Sequence, residues 1–190
     1  MSGSGNITVT AGQLTLSGDN SYSGNTVITA GTIVASHDNA LGTAAAGTII
    51  ASGATLEIQG DATISSEALT ITGTGRLHNT TDTNSYNGTI SGTGVVTVDG
   101  GTLTLSGNNT YLGATSVNTG TLVAAHANAL GSDVTGTTVS SGATLELRGG
   151  TDIASEALTV TGTGKLNNTL GTNSYGGVIS GSGGVTVDGG

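Results

Sequence analysis

The chain has 190 residues, a formal charge of −9, 35 Gly and no Pro, Cys, Phe or Trp. Three strong cations, Arg76, Arg148 and Lys165, leave no basic footprint for phosphates, which excludes nucleic acid as a partner, and the lack of Cys removes disulfides and thiolate metal sites. Collagen is excluded because Pro is absent and no Gly-X-Y period runs through the chain, and disorder because apolar residues recur regularly between the glycines.

From the N-terminus, Met1–Gly5 lacks the basic start and apolar stretch of a signal peptide, and no apolar run approaches the roughly 20 residues of a membrane helix. Alternation of apolar and polar residues predicts short strands at Leu14-Thr-Leu16, Ile33, Leu56-Glu-Ile58 and Leu77, each after a Gly-containing corner. The same phrases return at Leu103-Thr-Leu105, Leu122, Leu145-Glu-Leu147 and Leu166, with a second apolar residue shortly before each, at Val98, Val117, Val139 and Val160. The run Ser66-Glu-Ala-Leu69 and its counterpart Ser155–Leu158 look helical alone, but both flow into Thr-Ile/Val-Thr, so no long helix is expected.

The chain repeats itself: Gly5–Gly101 lies on Gly94–Gly190 without a gap, and 59 of the 97 pairs are identical, so turn lengths are held as tightly as strands. The anchors Leu14, Ile33, Leu56, Leu77 and Leu103 are unevenly spaced, and the same uneven spacing returns through Leu122, Leu145 and Leu166. We read these as four coils per unit, the longest from Leu77 to Leu103, each stacking like side chains about 4.8 Å apart. The expected fold is all-β, a single-stranded parallel β-helix (solenoid) of about 22 residues per coil and about eight to nine coils. It forms one continuous domain, 1–190, with units 12–100 and 101–189. Its narrow aliphatic interior is expected to exclude bulky rings.

Candidate sites are weighed against this scaffold. The motif Asn-Ser/Thr-Tyr-x-Gly places the only aromatics at Tyr22, Tyr86, Tyr111 and Tyr175. On the surface these would stack on a glycan or anchor a protein partner; as plain structure they would cover a corner. Glu57/Glu146 and Glu67/Glu156 are doubled carboxylates; Glu57 and Glu146 are expected at outward strand positions four coils apart, too far for paired acid–base work. Glu146 with Arg148 reads as a surface ion pair. His37 and His126 read as loop residues and His78 stands alone, so no metal and no cofactor is expected. Thr-x-Thr at Thr8, Thr70, Thr102 and Thr159 would suggest an ice-binding face if stacked, but recurring once per unit it predicts no regular array.

The phrases Gly101-Thr-Leu-Thr-Leu-Ser-Gly-Asn-Asn-Thr-Tyr-Leu-Gly113, Gly120-Thr-Leu-Val-Ala124 and Ala127-Asn-Ala-Leu-Gly131, with their first-unit counterparts, resemble the autotransporter-associated β-strand repeat of bacterial passenger domains. The resemblance implies a right-handed parallel β-helix displayed outside a Gram-negative cell, serving as an extracellular stalk or adhesin scaffold rather than an enzyme. It further implies a host surface protein or glycan as partner, and membrane attachment only through a C-terminal barrel of a parent protein. Two alternatives accompany it: a self-assembling or engineered solenoid block that associates through its ends, and a polysaccharide-active β-helix enzyme.

Overall fold

The computed structural model describes residues 1–187, and these form short parallel strands without a helix. Asp188–Gly190, which would close the second unit, lie outside the described residues. Every strand pairing is parallel, as a coil wound on itself requires.

Three ladders run along the stack, one per face. The first carries Ile7, Thr26, Thr48, Leu69 and Ile90 on successive coils. The second carries Leu14, Ile33, Leu56, Leu77, Val96, Thr115, Thr137, Leu158 and Ile179. Nine rungs about 4.8 Å apart make a rod about 40 Å long. The third runs through Asn84, Leu103, Leu122, Leu145, Leu166 and Val185. Strands Val95–Leu105 and Thr115–Ala124 bend around one corner and serve the second and third faces in turn.

Period-two alternation fixes which side chains enter. Leu56, Leu77, Val96, Leu103, Leu122 and Leu145 are fully buried, and Val98, Val117, Val139 and Val160 form the continuous ladder expected of them. Leu14 is the exception among the anchors: it is paired with Ile33 on one side only and stays exposed.

The rung order corrects the coil count within a unit. Leu77 pairs with Val96 and not with the next anchor, Leu103. The first four coils therefore run from Leu14 to Val96, whereas the repeat unit runs from Leu14 to Leu103 and overshoots by the stretch between Val96 and Leu103, one face of the coil. Leu14, Ile33, Leu56 and Leu77 lie on the second face, while their counterparts Leu103, Leu122, Leu145 and Leu166 lie on the third. The second unit is the first advanced by four coils and turned by about a third of a revolution.

Candidate functional site

The tyrosines are inside. Tyr22, Tyr86 and Tyr111 are no more than 2% exposed, and Tyr175 packs half-buried against the same core. The motif itself explains this: Asn and Tyr stand two apart and share the inward side, with Ser or Thr between them facing out. Asn20 and Asn109 satisfy their buried amides by donating to the carbonyls of Ala40 and Ala129 on the next coil, at 2.9 and 2.8 Å. Room for the rings comes from Gly42 and Gly131, at φ +81° and +80°, where an added Cβ would stand 3.0 and 2.9 Å from the ring of Tyr22 and of Tyr111. Both expectations are corrected: the interior accepts rings, and three of the four cannot present a stacking surface to a partner.

Their hydroxyls open a polar seam through the core. Tyr22 shares a hydrogen bond with Thr26 at 2.5 Å, and Tyr111 with Thr115 at 2.6 Å. On the following coils Thr48 donates to Glu67, and Thr137 to Glu156, each at 2.8 Å. Tyr86 then donates to the Glu67 carbonyl at 2.8 Å. Burial raises the pKa of both Glu67 and Glu156, only partly offset by the threonine bonds. Burial likewise raises all four tyrosines above the ordinary phenol value, and the neighbouring glutamates add to it. Sequence reading found Glu67 and Glu156 as doubled carboxylates but not as core residues. The available signal was parity, since Glu67 stands two before the inward Leu69.

The remaining acids do not converge. Glu57 stacks between Val34 and His78 on the second face, and Glu146 between Val123 and Asn167 on the third, so the two face different directions. Each is held in a parallel way, through Oε1. Glu57 accepts from Gln59 at 2.8 Å and from Thr80; Glu146 accepts from Arg148 at 2.6 and 2.9 Å and from Thr169. Replacing Gln59 by Arg148 between units thus keeps the same partner. The Arg148–Glu146 ion pair is present, and with Arg148 largely in solvent it contributes little.

His37 and His126 accept the amides of Asn39 and Asn128 through Nδ1, at 3.1 and 3.0 Å, which is a loop-stabilising role. His78 bonds Asp99 at 2.7 Å across adjacent coils. Burial alone would raise Asp99, but bonds from Asn118 and His78 outweigh it and hold its carboxyl below the usual range. Among the described residues no three His, Cys, Asp or Glu side chains gather where a metal ion could sit. One regularity was missed: Thr97, Ser116, Thr138, Thr159 and Ser180 place a hydroxyl on five successive rungs of the second face, so an array exists, one column wide.

Segments 11–35 and 95–124 match the family model described as Passenger-associated-transport-repeat. The repeats occupy equivalent parts of the two units, around Leu14–Ile33 and Leu103–Leu122, and the overshoot of the unit sets them on different faces of the rod. No curated protein and no solved structure matches the chain. The repeat and the parallel β-solenoid together fit the scaffold of an autotransporter passenger.

Proposed function

We propose that this chain is a non-catalytic stretch of an extracellular autotransporter passenger, a stiff spacer that carries other parts of the protein away from the surface of a Gram-negative cell. The observation that carries the reading is the unbroken succession of nine second-face rungs, joined coil to coil by parallel hydrogen bonding. A stack in which each coil contacts only its neighbours resists bending and sets length by coil number. The non-catalytic part is supported by the carboxylates: Glu57 and Glu146 face different directions, each with Oε1 taken by neighbouring side chains, and Glu67 and Glu156 are largely buried.

The test is length. Passengers displayed on cells with one, two or four whole coils removed from this stretch should remain displayed while the attachment of the cells falls stepwise. Attachment that ignores coil number would sink the spacer reading. Release of reducing ends from neutral or acidic glycans by the purified chain would sink its non-catalytic part.

A further inference from the structure

The two units depart from each other around one recess. In each, the loop containing Asn-Ala-Leu-Gly and the strand one coil further on enclose a space between adjacent coils. In the first unit that space is about 40 Å³, bordered by Asp38, Leu41, Ile64 and Glu67. In the second it is a cleft of about 450 Å³, bordered by Ala127, Leu130, Asp133, Asp152, Ser155 and Glu156.

Named substitutions account for the difference. Asp38 bridges the first recess, its Oδ1 accepting the Thr63 amide at 2.7 Å; the methyl group of Ala127 cannot make that bridge. Tyr86 donates to the carbonyl of the lining residue Glu67, whereas the buried hydroxyl of its counterpart Tyr175 has no partner among the described residues. Glu156, 4% exposed at the border of the cleft, has no partner for Oε2 among the described residues either.

The rim changes with it. Asp133 stands where the first unit has Ala44, and Asp152 where it has Thr63. Leu112 replaces Ser23 and Val134 replaces Ala45, and these two are 45% and 69% exposed. Thr135 donates to the Leu112 carbonyl at 2.9 Å, which holds the Val134 loop against that rung. Asp133 and Asp152 accept only from serines, Ser155 and Ser174, and neither is in a salt bridge among the described residues.

We propose that this cleft docks a basic peptide segment of a protein partner, a lysine or arginine side chain entering among Asp133, Asp152 and Glu156 while an adjoining apolar residue rests on Leu112 and Val134. Charge complementarity selects the cation: the whole chain is acidic and draws cations to its surface, and an ammonium or guanidinium supplies donors to carboxylates that lack a cationic partner. The volume lies within the range of clefts that bury a ligand of a few side chains, about 300–1,000 Å³. A peptide is favoured over a sugar because the exposed apolar side chains beside the cleft, Leu112 and Val134, are aliphatic, and three of the four rings that could stack on a sugar are in the core. The inference does not depend on the spacer reading, since it concerns binding by the purified chain.

The test is an amide NMR titration of the whole chain with the capped peptide acetyl-Leu-Lys-Leu-amide. The same peptide with norleucine for Lys and a glucosamine oligosaccharide serve as comparisons. The expected result is saturable shifts confined to Leu112 and to residues 127–135 and 152–156, with binding weaker by about tenfold or more for the norleucine peptide and for Asp133→Asn with Asp152→Asn. Ala127→Asp with Asp152→Thr rebuilds the first-unit bridge and should abolish the shifts. If that pair fails to fold, Asp133→Ala, on an exposed loop, should still weaken binding. Equal response at 38–44 and 64–67, equal binding of the norleucine peptide, tighter binding of the oligosaccharide, or no saturable shift would each overturn the proposal.

Discussion

Truncating Tyr111 tests the interior placement of the rings. The side chain is fully buried, and its hydroxyl meets Thr115 Oγ1, itself buried, at 2.6 Å. Tyr111→Ala removes the whole ring from between two coils and leaves a void that the parallel ladders on either side cannot collapse into; aromatic-to-Ala changes in such cores cost about 3–5 kcal/mol. Tyr111→Phe keeps the ring and strands only the Thr115 hydroxyl, at a cost of about 1 kcal/mol. The gap of about 2–4 kcal/mol between the variants is the packing contribution of the ring. Urea titration followed by circular dichroism gives both values. Amide exchange at Leu105, Val117 and Ala129 shows whether the loss is local, which matters because solenoids unfold less cooperatively than globular domains. On a surface, the same truncation would stay within about 0.5 kcal/mol. A cost for Tyr111→Ala below about 1 kcal/mol, with exchange around it unchanged, refutes the reasoning.

Gly131→Ala should destabilise by about 2 kcal/mol or more, because it combines φ +80° with a Cβ 2.7 Å from the Tyr111 carbonyl oxygen; Gly142→Ala, at φ +82° with open space around it, should cost only about 1–2 kcal/mol of backbone strain in the same urea assay. Glu67 and Glu156 have folded pKa values raised by burial, so the stability they contribute is present below the ordinary carboxylate range and is lost as pH rises through the folded values. Urea midpoints measured at about pH 4 and pH 7 should therefore fall less in a Glu67→Gln, Glu156→Gln double variant than in the parent; an equal fall in both contradicts the assignment. In an ultraviolet titration the phenols should not ionise at their ordinary value near 10 until the chain unfolds, and a normal titration of three or four rings in the folded state would place them outside.

Much of the scaffold is legible in the residues. Alternation at Leu14-Thr-Leu16 and Leu145-Glu-Leu147 sets strands because a pleated backbone turns successive side chains to opposite sides, and Gly at the corners supplies the backbone freedom a short coil needs. Gapless repetition then implies stacking, since only a solenoid demands that each coil match the next. The pairing of Arg148 with Glu146 also follows from spacing, two positions apart on one outward side.

Tertiary structure alone decided which rung meets which. Leu77 and Leu103 look like successive anchors because the repeat makes them alike, yet Val96 fills the rung beside Leu77, since closure of a coil is set by hydrogen bonding between distant parts of the chain rather than by likeness of sequence. The same nonlocality put Tyr111 inside, where a glycine on the neighbouring coil, Gly131, leaves space for its ring. It also made the exchange of Asp38 for Ala127 consequential: the lost bond runs to the amide of Thr63, and only the folded stack brings the two together. Composition and period determine a solenoid because they act through the local backbone; its interior polar seam and the cleft beside Glu156 arise between coils, where contacts depend on register.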